Sequence, residues 1–254
     1  MEKLNVVSFS GGKDSTAMLL MMVEKGIKID LILWCDTGLE FPAMYEHVNK
    51  VEKYVGIPIT RLKADKSFEY WFLKHEPKRR NPALQGMKGN SWATAQMRWC
   101  TKELKTNVIQ RFLKELYKKY EVQEFIGIAA DEPKRIKDKH YPLVDWKMTE
   151  QNCLDFCYSK GFDFGGLYEI FHRVSCWCCP LQSLDELRNL QMFFPDLWMQ
   201  LKEWDSKTWR TFRADYSVAE LEVRFELEKQ RIAEGKSISN REFYKELKKL
   251  LGRW

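Results

Sequence analysis

Six residues constrain this chain more than any others. Ser10-Gly11-Gly12-Lys13-Asp14-Ser15 stands between an apolar, β-branched run (residues 4–9, LNVVSF) and a stretch from about residue 15 to 23 that is apolar at helical spacing. That order predicts strand, tight turn and helix. Two glycines let backbone amides turn inward on an anion, the serines add hydroxyl donors, and the helix start adds partial positive charge. The loop is not a Walker A motif, which needs Ser or Thr after the Gly-Lys pair and another Gly five positions before that pair's glycine. Here Asp14 follows Lys13 and Val7 holds the earlier position. The usual kinase and GTPase readings fall away, and the bland alternative is a glycine turn capped by Asp14 or Ser15.

The pattern then repeats. Residues 30–34 (DLILW) form a second apolar run, residues 42–55 a helix with Pro at its start, and residues 57–62 a third strand. From 63 to 97 the period disappears in a basic, Pro- and Gly-containing stretch that reads as a long loop or lid. A long helix over about 98–120, a fourth strand over 122–128 and a helix over 148–159 follow, and beyond Pro180 the chain reads as helices alone. The expected class is α/β, a doubly wound, mostly parallel, Rossmann-like sheet with a helical C-terminal region. The expected division is a nucleotide-binding domain over 1–180, with an insertion at about 63–97, and a helical region over 181–254.

Composition narrows the setting. With 254 residues, 44% of them hydrophobic, the chain can bury a sizeable core, and a net charge of +6 permits an anionic partner without demanding one. No apolar run approaches the ~20 residues of a membrane span, and the N-terminus reads straight into a strand, so a cytoplasmic protein with no membrane partner is expected. Three of the seven cysteines crowd into Cys176-Trp-Cys178-Cys179. A secreted disulfide framework does not predict that spacing, and metal or redox chemistry does. Cys176 and Cys179 make a C-x-x-C pair with Cys178 between them, and Cys100 is a candidate distant ligand. The set suits an iron–sulfur cluster, four-iron if Cys178 supplies the fourth thiolate, or zinc, or reduced cysteines with no metal. Cys153 and Cys157 share a helix face and read as core residues, as does Cys35 at a strand end.

The loop SGGKDS resembles the signature of the PP-loop ATP pyrophosphatases. CDTGLEFPAMY (35–45), RWCTKELK (98–105), GIAADEPKR (127–135), YPLVDW (141–146) and LYEIFHRVSCWCCP (167–180) resemble, in order, blocks of the phosphoadenylylsulfate (PAPS) reductase-like family, over about residues 6–180. The resemblance implies an adenine nucleotide alpha hydrolase-like fold that binds ATP with Mg²⁺. It places Ser10, Gly11, Gly12, Lys13, Asp14 and Ser15 around the β and γ phosphates, and Asp36, Thr37 and Gly38 at the nucleoside. Arg135 faces the phosphates and shares the catalytic role with Lys13, and Arg98 and Lys105 are further cations.

True reductases of this family use a cysteine in a C-terminal Glu-Cys-Gly-Leu-His-like motif, and this sequence has no cysteine after Cys179. The resemblance therefore implies an AMP-forming enzyme that adenylates an acceptor for sulfur transfer, with thiolation of tRNA or DNA in view. Its expected partners are an adenine nucleotide, a cysteine desulfurase or other sulfur donor, and a second copy of the chain as a homodimer. The basic stretches 74–80 and 134–140, with nearby aromatic residues, suit a nucleic acid. The competing readings are a sulfonucleotide reductase and a non-catalytic nucleotide-binding subunit or sensor.

Overall fold

A computed structural model describes residues 1–137, 139–174 and 176–253. Its elements in chain order are β1 (Glu2–Ser8), α1 (Lys13–Glu24), β2 (Leu31–Asp36), α2 (Pro42–Val55), β3 (Ile59–Lys63), α3 (Trp99–Thr101), α4 (Asn107–Tyr117), β4 (Tyr120–Ile126), α5 (Pro142–Asp145), α6 (Glu150–Ser159), α7 (Leu167–Ile170), α8 (Leu184–Phe193), α9 (Pro195–Ser206), α10 (Val218–Ala233) and α11 (Arg241–Leu250). The chain forms two compact units, one of Met1–Phe68 with Trp99–Trp177, the other of Glu69–Arg98 with Cys178–Trp254. The segment read as an insertion thus belongs with the C-terminal helices.

The first unit is built on a parallel sheet of order β3-β2-β1-β4. Alternation along the strands sends Leu4, Val6, Leu31, Leu33, Leu62 and Val122 to one face, where Ile109, Phe112, Leu113 and Leu116 of α4 cover them. Val7, Ile32 and Trp34 point the other way and are buried, with Trp34 edge-on to Tyr45 of α2 at 5.6 Å. Both faces are covered, as a parallel sheet requires. This is the doubly wound α/β architecture that the sequence predicts. Strand order reverses at β1, with β2 and β3 on one side and the likewise parallel β4 on the other, so the crevice beyond the carboxyl ends of β1 and β4 is the switch point of the sheet.

Two departures have local causes. The helix expected over 98–120 is interrupted by a π-helical segment, Lys102–Thr106, where the Leu104 carbonyl accepts the Cys35 thiol at 3.0 Å. Strand β4 ends at Ile126 rather than 128, because Gly127 steps against the start of α1 so closely that a Cβ would lie 2.6 Å from Ser15 Cα.

In the second unit, Phe72, Trp92 and Phe212 pack ring on ring, at 4.5 and 5.0 Å. Gly89 adopts φ 69° where a Cβ would overlap the Phe72 carbonyl oxygen, so only glycine fits. Capping boxes at Ser183 and Ser217 start α8 and α10. Among the described residues no helix is long and apolar enough to cross a membrane.

Candidate functional site

The phosphate loop leaves β1 at its carboxyl end and enters α1 within four residues. Gly11 makes the turn at φ 85°, its Cα facing Met44, Trp34 and Val48. The serines knit the loop to itself. Ser10 and Ser15 hydroxyls lie 2.9 Å apart, the Ser10 amide donates to Ser15 Oγ at 3.1 Å, and Ser15 Oγ donates to the Gly12 carbonyl at 3.1 Å. Both readings of Ser15 as a cap and Asp14 as a cap are set aside by this geometry, since no side chain caps α1 at Gly12. The Asp14 and Ser15 amides have no hydrogen-bond partner among the described residues, and they carry the positive end of the helix dipole.

Lys13 is buried, and its ammonium pairs with Glu150 at the start of α6 and stands 3.6 Å from Asp14 Oδ1. Burial works against its charge, but Glu150 and Asp14 outweigh that and hold its pKa above the ordinary value. For Asp14, burial pushes the carboxyl up to about 6 while Lys13 pulls it down. Its Oδ1 is a buried oxygen without a hydrogen-bond partner, a condition that calls for a specific explanation. Below the loop, Thr16 Oγ1 meets His47 Nε2 at 3.0 Å, and burial pushes the His47 pKa down to about 4, with Lys50 adding to the effect. Cys157 Sγ donates to the Lys13 carbonyl at 3.4 Å. Cys153 and Cys157 are fully buried and burial raises both thiol pKa values, that of Cys153 to about 12, which makes them inert core residues.

The turn after β2 forms the second part of the site. Asp36 Oδ1 accepts the Gly38 amide at 2.8 Å and the Tyr45 hydroxyl at 3.0 Å, Thr37 donates to Glu40 at 3.1 Å, and Gly38 takes φ 74°. These side chains thus build the turn. Glu40 pairs with Lys105 at 3.4 Å, and although burial opposes its charge, Glu40 together with the thiols of Cys176 and Cys35 holds the Lys105 pKa above its ordinary value. The Trp177 amide donates to the Leu39 carbonyl at 3.1 Å, so the cysteine segment is tied to this turn. Burial raises the Cys35 thiol to about 11.

Arg135 is exposed, and its guanidinium pairs with Glu132 at 2.5 Å on a 3-10 turn, Pro133–Arg135. Cys100, at the start of α3, and Cys176 belong to the first unit and are half-buried, whereas Cys178, buried, and Cys179, half-buried, belong to the second. Among the described residues, no group of three or more His, Cys, Asp or Glu is arranged to hold a metal ion. Two loop partners escaped the sequence reading, Glu150 and Tyr168, whose hydroxyl accepts the Lys13 amide at 2.9 Å. Both lie more than 130 residues away, and the only signal was that each falls in or beside a polar block following a strand or glycine turn.

A glycine-built anion cradle at the switch point of a parallel sheet defines an α/β protein with a nucleotide-binding fold. The phosphoadenosine phosphosulfate reductase domain model matches residues 4–182, and the chain belongs to that family, within the PP-loop superfamily. It is similar to an uncharacterized protein of Methanocaldococcus jannaschii, 28% identical in an alignment 224 positions long that covers 79% of this chain and 40% of the relative. It is also similar to an uncharacterized nin region protein of Escherichia phage lambda, 31% identical over 150 residues, or 54% of this chain and 51% of the relative. The chain thus spans about half the length, or less, of these curated relatives. A crystal structure of phosphoadenylyl-sulfate reductase from Candida auris in complex with phosphate aligns with 70% of this chain and 82% of its own, at 17% identity and a TM-score of 0.48.

Proposed function

We propose that the chain is an ATP-dependent, AMP-forming enzyme that adenylates an acceptor for sulfur transfer, with a nucleic acid as acceptor. The observation that carries this reading is the cradle itself, in which a buried Lys13 and a buried Asp14 oxygen with no hydrogen bond stand at a helix start whose Asp14 and Ser15 amides are without partners among the described residues. An acceptor oxygen attacks the α-phosphorus, the bond from that phosphorus to the α–β bridging oxygen breaks, and pyrophosphate leaves with the electron pair. Ser10, Gly11, Gly12 and Ser15 hold the polyphosphate, Lys13 and Arg135 neutralise the charge that develops on it, and Asp36, Thr37 and Gly38 take the nucleoside. Asp14 Oδ1 is the hard oxygen that would hold Mg²⁺, whose remaining ligands are phosphate and water oxygens; when bound it neutralises phosphate charge.

Support for a nucleic-acid acceptor comes from the second unit. Arg79 and Arg210 lie 4.8 and 4.9 Å from the Trp209 ring, and among the described residues neither has a carboxylate partner. Cations interleaved with an aromatic ring suit phosphates and a stacked base. Affinity for RNA or single-stranded DNA is expected to fall steeply with salt.

The deciding experiment follows AMP and pyrophosphate from labelled ATP with Mg²⁺, tRNA and a sulfur donor such as a cysteine desulfurase charged with cysteine. Acceptor-dependent release of both products is expected. Membership of the family favours a second reading, sulfonucleotide reduction, which predicts sulfite from adenylylsulfate or its 3'-phosphate instead. ATP binding with no product of either kind would leave a nucleotide-binding subunit or sensor. Cys100, Cys176, Cys178 and Cys179 are the residues that would hold an iron–sulfur cluster or zinc, and the described residues form no such ligand group, so no step is routed through a metal centre. Iron, sulfide and zinc analysis of anaerobically purified protein and of Cys176→Ser tests that ligand set, with about four irons per chain lost in the variant as the result for a cluster.

A further inference from the structure

The Tyr168 hydroxyl lies within the phosphate loop. It takes the Lys13 amide at 2.9 Å, and a Cβ on Gly12 would come within 3.4 Å of it. The Lys13 ammonium stands 5.8 Å from the centre of the same ring.

Several contacts fix this placement from below. Asp163 accepts the Gly165 amide at 3.2 Å. Gly165, at φ 63°, passes so close to α2 that a side chain there would overlap Ala43 Cβ. Phe164 is held between His47, at 4.3 Å, and the edge of Tyr168, at 4.8 Å. The single turn α7 then carries the ring to the loop. A packing role needs only that ring, which phenylalanine would supply equally well.

The hydroxyl adds something that packing does not use. One lone pair accepts the Lys13 amide, and the hydroxyl proton meets no acceptor among the described residues. Burial raises the pKa above the ordinary tyrosine value, so the proton stays in place across the physiological range. An O–H that already accepts a hydrogen bond is polarised and becomes a better donor.

We propose that Tyr168 is a phosphate-binding residue of the loop, its hydroxyl extending the hydrogen bond of the Lys13 amide to a non-bridging oxygen of the bound polyphosphate. This deepens the ATP reading above and rests on it. It gives the site a neutral donor, supplied from a segment distant in sequence, that favours polyphosphate over AMP.

Calorimetric titration of ATP, inorganic pyrophosphate and AMP into wild type and Tyr168→Phe tests it, since the variant keeps the ring against Phe164. Affinity for ATP and pyrophosphate is expected to fall about 10- to 100-fold, and affinity for AMP to stay within about twofold. Unchanged ATP affinity in the variant overturns the proposal while leaving the ATP reading intact. Tighter binding also overturns it, because the hydroxyl would then be a stand-in that phosphate displaces. Equal losses for all three ligands overturn it by marking a structural role. A wild-type protein that binds none of the three overturns the ATP reading and the inference with it.

Discussion

The two units leave their buried carboxylates differently satisfied. In the second, Glu228, 2% exposed, receives Arg224 on one oxygen at 2.7 Å and Arg188 on the other at 2.6 Å. Asp205 accepts the Val218 amide at 2.7 Å and the Trp92 indole at 2.8 Å, and Arg231 reaches Glu246 at 2.8 Å and the Ser237 carbonyl at 2.9 Å. In the first unit, Asp14 Oδ1 is buried 3.6 Å from the Lys13 ammonium with no hydrogen bond, and the N-cap residue beside it, Gly12, offers no side-chain cap. A carboxylate with both oxygens hydrogen-bonded fixes one packing arrangement, whereas a buried oxygen that has an ion pair at 3.6 Å but no hydrogen bond keeps capacity for a further partner.

Substitutions on the two sides should therefore fail differently. The largest effect is expected for Lys13→Met, which should lower AMP and pyrophosphate release about 100- to 1000-fold, some 3–4 kcal/mol in barrier, with a smaller change in stability than the next variant. Glu228→Ala leaves two guanidinium groups without their shared carboxylate and should cost about 3 kcal/mol in denaturant unfolding, with ATP affinity measured on folded protein unchanged. A loss of ATP affinity there, or a collapse of stability in Lys13→Met, would erase the contrast.

A pH series sharpens it further. Unfolded His47 titrates near 6.5 and folded His47 near 4, so between those values the unfolded chain binds more protons and stability falls as pH falls. That contribution is about 3 kcal/mol and should vanish in His47→Gln. Asp14 runs the other way. Its folded carboxyl titrates at about 6 against 3.8, so the folded chain binds more protons in that window and stability falls as pH rises through it. Asp14→Asn should accordingly gain about 2 kcal/mol at pH 8 and lose the Mg²⁺ dependence of ATP binding, a trade of function for stability expected at a binding site.

Much of the first unit was legible because its signals are local. Short apolar runs separated by glycine turns predict the strands in order, and SGGKDS between the first strand and helix fixes where an anion would sit. The segment 63–97 was opaque for a physical reason. Its helical content is a π-helical turn, Tyr70–Lys74, and a 3-10 turn, Pro82–Leu84, too short for a period to emerge, and its buried Phe72 and Trp92 find their partners Trp204 and Phe212 more than 100 residues on.

The same limit applies at the site. The turn after β2 was legible as a motif, but not that Asp36 and Thr37 spend their side chains on building it, nor that Trp177 is tied to it. Arg135 was expected to face the phosphates, and its pairing with Glu132 depends on a turn that the polar stretch does not encode by period.

By itself, the sequence determined the parallel α/β class and the place of the SGGKDS turn between the first strand and helix, because strand alternation, glycine turns and helix starts are short-range properties of the chain. Only the tertiary structure decided that Lys13 meets Glu150, that Asp14 keeps a buried oxygen with no hydrogen bond, that Tyr168 enters the loop and that 69–98 joins the C-terminal helices. Those outcomes depend on which distant segments close over a strand end, and hydrogen bonding and burial there are fixed by packing rather than by neighbours in sequence.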